Sequence, residues 1–429
     1  MPTTIRIDHV TRIEGHAGLT VELLDHRVGT VQFDVSEGAR LLERLVKGRR
    51  YDDVAPIVSR ICAICSVAHA LTALKATEHA FDVHIAPSTE TLRDLLVRGQ
   101  NIESHALHLF LLALPDYLGY PSAPAMAHEH RDVVTRGLRL KRLGNVIQEM
   151  IGGRAIHPVN VVLGGFATYP TTDQLVDLRD ELRRGLDDCQ AVMPVIASLP
   201  DVEPCPGITT FAALQGSDEE GYYSADTIVL ERDGTRTRFP AVAYHALTNE
   251  TTVRHSHAKH SSFDGGPFMV GALARLSLNA DQLSRLAVDA MHRIGLTLPT
   301  RNCIDNNKAQ FVELMCDTEH ALHTVERLLE VEPEWPGSPT IVPRESTGTA
   351  VTEAPRGLLC YSLSFDDAGM VTGADVVTPT AINAACIEEQ VRWVAGHRRS
   401  RDTTELTRRC EMILRAFDPC ISCSVHVVQ

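Results

Sequence analysis

The amino-acid sequence predicts an α+β protein that is mainly helical, with a central bundle of long helices, small β elements near both ends and an irregular β insertion between them. Three observations support this fold class. Apolar residues recur every three or four positions over most of the chain, they alternate with polar residues near each end, and residues 206–260 interrupt the helical period. A chain of 429 residues is long enough to bury a large core.

The composition excludes several classes of protein. Hydrophobic residues make up 44% of the chain and charged residues 22%, which is typical of a globular protein and not of a disordered one. The net charge of -14 argues against a surface for nucleic acid. We expect no insertion into a membrane, because no apolar stretch reaches the ~20 residues that span a bilayer. An odd number of cysteines, eleven, suits a reducing compartment, so we expect a cytoplasmic location.

The first residues alternate as β-strands do. The alternating apolar residues are Ile5 and Ile7, then Leu19, Val21 and Leu23, and finally Val31, Phe33 and Val35. A polar turn at residues 25–29 separates the last two groups. The segment Arg12-Ile-Glu-Gly-His16 falls between two strands, where Gly15 permits a turn. We therefore predict a small hairpin or meander.

From about residue 53 the apolar residues follow the helical period. The stripes, apolar except for Glu78, are Val67, Leu71, Leu74, Glu78 and Phe81; Leu92, Leu95, Ile102 and Leu109; Val134, Leu138, Ile147 and Met150; Leu175, Leu178, Leu182 and Leu186; Leu283, Leu286, Ala290 and Ile294; and Leu322, Val325 and Leu329. Ser88 with Thr91 marks the start of the second helix. Two more helices are expected near residues 387–394 and 406–417.

Two further β elements are expected. The insertion contains Ile228-Val-Leu230 and an Asp233-Gly234 turn, and a second element covers residues 359–377 with a turn at 366–369. We expect one domain with four lobes. These are an N-terminal β region at about 1–55, a helical core at 56–205, the irregular β insertion at 206–265, and a helical and β C-terminal region at 266–429.

Two Cys-x-x-Cys pairs stand near opposite ends of the chain, Cys62 with Cys65 and Cys420 with Cys423. Together they can supply four thiolates to one metal centre, which requires the two ends of the chain to lie side by side. Four thiolates ordinarily indicate structural zinc or an iron–sulfur site. Zinc ribbons usually close over far fewer residues than the 354 that lie between Cys65 and Cys420, and charged and imidazole residues flank both pairs. A nickel or iron centre with open positions is therefore favoured.

The sequence resembles the large subunit of nickel–iron hydrogenases over nearly its whole length. The resemblance rests on six segments in order: Arg12-Ile-Glu-Gly-His16; Arg60-Ile-Cys-Ala-Ile-Cys65 with His69; Gly153-Arg-Ala-Ile-His-Pro158 followed by Gly164-Gly165; Glu353-Ala-Pro-Arg-Gly357; Thr378-Pro-Thr-Ala-Ile-Asn383; and Asp418-Pro-Cys-Ile-Ser-Cys-Ser-Val-His426. Each segment alone is weak, but six in order are specific. The resemblance implies the large-subunit fold of that family, one catalytic domain over residues 1–429, and reversible heterolytic cleavage of H2 to protons and electrons.

The resemblance also implies the ligands of the metals. A nickel ion would be bound by all four cysteines, next to an iron that carries carbonyl and cyanide ligands. Cys65 and Cys423 would bridge nickel and iron, whereas Cys62 and Cys420 would bind nickel alone.

Further residues receive roles from the resemblance. The first proton transfer would go to Cys420 and the next to Glu14. Arg356 would lie above the open metal position with Asp418 as its ion partner, because opposite charges near a dry site must be paired. His69, one helical turn after the first cysteine pair, would donate a hydrogen bond to a bridging sulfur.

A magnesium ion is implied at Glu43 and His426. A carboxylate suits Mg²⁺, although imidazole is a poor ligand for it. Relatives usually carry a C-terminal extension that a maturation peptidase removes after this histidine, once insertion factors have delivered nickel. Here only Val427, Val428 and Gln429 follow.

One position departs from the pattern of many respiratory relatives. They carry an aspartate where this chain has Ser104, so a charged partner for Arg356 is missing. This departure and the C-terminal segment look more like the cytoplasmic, multimeric hydrogenases that couple to NAD(P), the sulfhydrogenase alpha-subunit type.

The other seven cysteines form no further Cys-x-x-Cys pair, so we expect no iron–sulfur cluster in this chain. We expect a small subunit that carries such clusters as a partner. Flavin and NAD(P) electron-transfer subunits are also expected, because no Gly-x-Gly-x-x-Gly follows a strand here. The alternatives are a structural zinc-bound scaffold subunit, or a related hydrogenase that uses coenzyme F420 or a heterodisulfide reductase partner.

Overall fold

Helices make up most of the regular secondary structure in the computed structural model, which describes residues 3–24, 27–37, 42–200, 202–216, 223, 225–331, 333–337, 339–397 and 402–425. They are α1 (Leu42–Val46), α2 (Val54–Val58), α3 (Ser66–Phe81), α4 (Pro87–Leu107), α5 (Leu114–Leu118), α6 (Ala123–Met126), α7 (Arg131–Gly152), α8 (Thr172–Ala197), α9 (Tyr244–Thr248), α10 (Ala272–Leu278), α11 (Arg285–Arg293), α12 (Asn306–Glu330), α13 (Pro379–Gly396), α14 (Thr403–Ala416) and α15 (Ile421–Ser424).

Four of the longest helices form the predicted central bundle. Helix α4 packs against α7, α7 against α8, α8 against α12, and α12 against α4, so the four close a ring around an apolar core. Helices α4 and α7 approach closely at Gly99, where a Cβ atom would lie 2.6 Å from the Ile147 side chain. Within the described ranges, no helix combines the length and the apolar composition that crossing a bilayer requires.

The apolar stripes place these helices correctly, with one wrong position. Leu138 on α7 was counted with the buried stripe, but it is 48% exposed. Leu138 precedes the buried Ile147 by nine residues, which is two and a half turns of a helix with 3.6 residues per turn. The two side chains therefore point to opposite faces of α7, and only Ile147 faces the bundle.

The strands form small antiparallel sheets in the predicted β regions, except for a two-stranded sheet at residues 161–166, which lies in the predicted helical core. They are β1 (Thr3–Ile7), β2 (Ala17–Leu24), β3 (Arg27–Val35), β4 (Val161–Val162), β5 (Gly165–Phe166), β6 (Thr210–Leu214), β7 (Thr227–Arg232), β8 (Thr235–Pro240), β9 (Ser346–Ala354), β10 (Gly357–Phe365) and β11 (Val371–Val377). The strand orders are β1-β2-β3, β4-β5, β6-β7-β8 and β11-β10-β9. The first sheet is the predicted N-terminal meander, and the third lies in the predicted insertion.

The prediction for the C-terminal β element was incomplete. Strands β10 and β11 and the turn between them were expected, but β9 was not. The sequence of β9, Ser-Thr-Gly-Thr-Ala-Val-Thr-Glu-Ala, offers small and polar residues instead of a clear apolar alternation. Strand β9 packs against α3, and its turn into β10 consists of Pro355 and Arg356. The motif that suggested a functional arginine is thus the tip of a buried hairpin.

A buried arginine on a neighbouring helix binds the backbone of this hairpin at its turn. Arg275 on α10 is fully buried and donates hydrogen bonds to the carbonyl oxygens of Ala354, at 3.0 Å, and Pro355, at 2.8 Å. Its guanidinium also contacts the carboxylates of Glu313, at 2.7 Å, and Glu353, at 2.9 Å. One side chain therefore fixes the backbone of the turn and neutralises buried negative charge.

We predict that Arg275→Met lowers the free energy of unfolding by about 3–5 kcal/mol, because it leaves buried carboxylates without their cation. Chemical denaturation of the purified protein measures the change. Arg293→Met is the matched control, since Arg293 forms an exposed ion pair with Asp289 at 2.8 Å. The control should change stability by less than about 1 kcal/mol. Equal effects of the two substitutions would contradict the role given to Arg275.

Candidate metal centre

The four cysteine sulfurs come together in one buried cluster. The Sγ atoms of Cys62 and Cys420 are 3.0 Å apart, those of Cys65 and Cys423 are 2.9 Å apart, and those of Cys420 and Cys423 are 3.0 Å apart. All four Sγ atoms lie within 4.8 Å of one another, and every one of the side chains is buried. The two ends of the chain therefore lie side by side, as the spacing of the two pairs required.

Local structure at both ends positions the sulfurs. Cys65 directly precedes α3, so the first pair lies at the N-terminal end of that helix. Asp418 adopts a left-handed backbone, with φ of 48°, just before the second pair. The segment after it lies against Glu14, whose carbonyl oxygen accepts a 3.0 Å hydrogen bond from the backbone N–H of Ile421. Backbone pairing thus ties the N-terminal motif to the C-terminal cysteines.

The thiols influence one another's protonation. Hydrogen bonding from the Cys420 thiol lowers the pKa of Cys62 well below its ordinary value. Burial raises the pKa of the Cys65, Cys420 and Cys423 thiols. Four thiolates at these distances require positive charge between them.

Arg356 and Asp418 form an ion pair beside the cluster. Arg356 Nη2 donates to Asp418 Oδ1 at 2.9 Å, and Arg356 Nε donates to the Asp418 carbonyl oxygen at 2.6 Å. The Asp418 carboxylate also accepts a 3.2 Å hydrogen bond from Gln310. Both charged side chains are about 97% buried. The ion pair expected from the sequence is present, and the Gln310 side chain on α12 donates a further hydrogen bond to its carboxylate.

His69 reaches the sulfur of the second cysteine pair. Its Nε2 lies 3.5 Å from Cys423 Sγ, and its Nδ1 lies 2.7 Å from the hydroxyl of Tyr361. Burial raises the pKa of Tyr361 well above its ordinary value, so the hydroxyl keeps its proton. A hydroxyl that donates to Nδ1 leaves the ring proton on Nε2, where it faces the sulfur. Sequence reasoning missed Tyr361, which lies far away in the chain.

Glu14 is held by Ser422, a residue inside the second Cys-x-x-Cys pair. The Ser422 hydroxyl donates to Glu14 Oε1 at 2.5 Å, and the Ser422 backbone N–H donates to Oε2 at 3.0 Å. The Ser422 hydroxyl also lies 3.5 Å from Glu37 Oε1. Sequence reasoning found Glu14 but not Ser422 or Glu37. The position of Ser422 between two candidate ligands was the available signal.

Ser104, where the sequence departs from many relatives, is directly preceded in the chain by an acidic residue, Glu103, to which sequence reasoning gave no role. Ser104 is fully buried, and its hydroxyl has no hydrogen-bond partner among the described residues. Its neighbour Glu103 pairs with Lys141 at 2.8 Å. Burial raises the pKa of Glu103, and the Arg356 charge acts in the opposite direction. Glu103 therefore lies within electrostatic reach of Arg356, although it makes its close contact elsewhere.

Of the two residues expected to bind magnesium, the structure describes only Glu43. Glu43 on α1 accepts a 3.0 Å hydrogen bond from the backbone N–H of Val376. His426 lies outside the described residues, as do Val427 to Gln429. The described part of the chain therefore contains one of the two proposed ligands.

The donor set of the cluster fits a nickel–iron centre. Four sulfur atoms are the soft donors that such metals take. Arg356 Nη1, on the guanidinium beside Cys62, Cys65 and Cys420, is buried and has no hydrogen-bond partner within the described ranges. Buried donors of this kind suit additional acceptors, such as small anionic ligands on a metal.

Comparisons with known proteins identify the family. A family model described as nickel-dependent hydrogenase matches residues 40–136 and 212–426, and one described as HoxL-like matches residues 4–37. Sulfhydrogenase 1 subunit alpha of Pyrococcus furiosus is 39% identical, over 99% of this chain and 98% of its own length. The NAD-reducing hydrogenase HoxS subunit beta of Cupriavidus necator is 27% identical, over 100% of this chain and 96% of its own length.

A solved structure supports the same conclusion. The crystal structure of an NAD+-reducing NiFe hydrogenase in the H2-reduced state has a TM-score of 0.86 to this chain, with 26% sequence identity and 99% of both chains covered. The fold expected from the sequence is thus confirmed. The chain belongs to the nickel-dependent hydrogenase family and is a hydrogenase with the fold of that family's large subunits.

Proposed function

We propose that this chain is the catalytic subunit of a nickel–iron hydrogenase that cleaves H2 reversibly into protons and electrons. The single observation that carries this proposal is the cluster of four buried Sγ atoms within 4.8 Å of one another. The family match supports it, and the alternative of a zinc-bound scaffold is not favoured by that match.

The four cysteines would hold the metals in two roles. Cys62 and Cys420 are proposed to bind nickel alone, whereas Cys65 and Cys423 are proposed to bridge nickel and iron. When bound, the centre supplies the polarisation that splits H2 and takes up its electrons. The unpartnered Arg356 Nη1 supports carbonyl and cyanide ligands on iron, because it offers a buried donor to a cyanide nitrogen.

The side chains around the cluster would handle the proton. Cys420 Sγ is proposed to receive it first and the Glu14 carboxylate next. Glu14 suits this step because Ser422 holds both carboxylate oxygens and the backbone pairs with the segment that follows Cys420. The pair of Arg356 and Asp418 keeps a fixed positive charge beside the sulfurs, which favours their thiolate forms.

His69 is proposed to orient and stabilise a bridging sulfur. Its Nε2 faces Cys423, and Tyr361 fixes the other ring nitrogen. A hydrogen bond to a metal-bound thiolate lowers the electron density on sulfur. His69 would thus tune the centre without binding either metal.

The electrons would leave through partner subunits. We propose a small subunit with iron–sulfur clusters, and flavin and NAD(P) subunits beyond it. The name of the Cupriavidus necator relative, which is a subunit of an NAD-reducing hydrogenase, supports NAD as the acceptor and a complex of more than one subunit. The alternative is a hydrogenase that uses F420 or a heterodisulfide reductase partner. Relatives from Methanococcus voltae and Methanothermobacter marburgensis are named F420-non-reducing hydrogenases, which argues against F420. A maturation peptidase and nickel-insertion factors complete the proposed partners.

Two further parts of the proposal concern location and magnesium. None of the eleven cysteines forms a disulfide, which supports a reducing, cytoplasmic location. Glu43 is proposed to bind Mg²⁺ together with His426. The carboxylate of Glu43 supports this assignment, because Mg²⁺ is a hard cation that prefers oxygen ligands.

We predict that Glu14→Gln keeps nickel and iron but lowers H2 oxidation by about 10²–10⁴-fold, because an amide cannot relay the proton. Dye-coupled H2 oxidation and metal analysis of the purified complex measure both effects. Glu22→Gln is the control, since Glu22 is an exposed residue of β2. Full activity of Glu14→Gln would exclude Glu14 from the proton route.

We predict that Cys420→Ala lowers the nickel content per chain by about tenfold or more, because it removes a ligand and not merely a neighbouring group. Elemental analysis of the purified protein measures nickel. Cys189→Ala is the control, since Cys189 is fully buried on α8, outside the four-sulfur cluster. A Cys420→Ala variant with the nickel content of the control would refute the ligand assignment.

A further inference from the structure

A second group of metal-capable side chains lies outside the cysteine cluster. His255, His260 and Glu388 each offer one ligand atom, and these atoms lie within 4.8 Å of one another. His255 Nε2 is 2.7 Å from Glu388 Oε1, and His260 Nε2 is 4.0 Å from the same oxygen. On a tetrahedral ion with bonds of ~2.0–2.1 Å, ligand atoms lie ~3.3–3.5 Å apart. Small side-chain adjustments therefore suffice to place all three around one ion.

His260 has an unsatisfied nitrogen that points to a missing ligand. The residue is only 8% exposed, and its Nε2 has no hydrogen-bond partner in the described part of the chain. The unprotonated nitrogen of a neutral imidazole can offer a lone pair to a metal ion. A buried imidazole nitrogen without a partner is costly unless something binds it.

Backbone hydrogen bonds position the three side chains, and they involve the loop at residues 251–260, α13 and β3. His260 pairs with Thr251 through two 2.9 Å backbone hydrogen bonds, so the loop that carries both histidines closes on itself. Glu388 projects from α13, and its Oε1 accepts a 2.8 Å hydrogen bond from the backbone N–H of Phe33 on β3. His255 is 23% exposed and Glu388 is 16% exposed, which leaves a path for an ion from solvent.

We propose that His255, His260 and Glu388 bind one divalent transition-metal ion, with Zn²⁺ as the expected occupant. Two imidazoles and one carboxylate are borderline donors that suit zinc, and three protein ligands leave a fourth position for water. Magnesium does not fit, because it takes mainly oxygen ligands in an octahedral arrangement. The site is separate from the thiolates and is not needed for the proposed reaction.

Such an ion would fasten the histidine loop to the body of the protein. It would join the loop to α13 and, through Glu388, to β3. Ala258 in this loop pairs with Val425, two residues after Cys423. The ion would therefore also stabilise the segment that carries the second cysteine pair.

The test is a Zn²⁺ titration of the complete hydrogenase complex with its metal centre loaded, so that the four cysteines are already occupied. After treatment with a mild chelator, we expect one Zn²⁺ per chain to bind with micromolar or tighter affinity and to raise the melting temperature. No binding in that range would overturn the proposal.

Single substitutions locate the ion. His255→Gln and His260→Gln should each weaken Zn²⁺ binding at least about tenfold. His257→Gln is the control and should leave binding unchanged, because the exposed His257 contacts the Glu37 carbonyl oxygen and not the cluster. Unchanged binding in both His255→Gln and His260→Gln would overturn the proposal.

Cobalt substitution gives a readout that does not depend on any variant folding. Co²⁺ bound to this site should give the absorption of nitrogen and oxygen ligands, and X-ray absorption should count two imidazoles. Thiolate-to-cobalt charge-transfer bands would instead place the ion at a cysteine and overturn the proposal.

Discussion

Four buried sulfur atoms within 4.8 Å of one another, with three of the pairs about 3 Å apart, are the constraint on which the rest of this structure depends. Two thiolates at that distance repel each other by about 5 kcal/mol even at an effective dielectric constant of ~20. The cluster is therefore stable with four thiolates only when cations lie among them. Because the cysteines come from opposite ends of the chain, meeting this constraint decides the topology: the N-terminal motif, the start of α3 and the last helix must converge on one point.

Two successive sets of charged residues hold the backbone next to the sulfur cluster. Arg356 places a guanidinium beside the sulfurs and is paired with Asp418. Behind it, Arg275 binds the carbonyl oxygens of the hairpin that presents Arg356, and it neutralises Glu313 and Glu353. Burying several charges is costly unless each has a partner, so these contacts have to form together. The result is a rigid turn that holds a positive charge in a fixed place.

The sequence predicted the helical bundle, the terminal sheets and the family, because periodic patterning and short motifs are local features. Strand β9 was missed, since its small and polar residues owe their burial to α3 and not to their own pattern. The contacts of Glu14 with Ser422, and of His69 with Tyr361, were also missed. Such contacts arise from the convergence of distant segments. The place of Ser422 between Cys420 and Cys423 was a usable signal, whereas nothing comparable in the sequence marks Tyr361.

The most direct test of this account is metal analysis and infrared spectroscopy of the purified complex. The account predicts one nickel and one iron per copy of this chain, in addition to the iron of the partner's clusters, with absorption bands from carbonyl and cyanide bound to iron. Zinc in place of both metals, without such bands, would contradict it, because the four cysteines would then form a structural site.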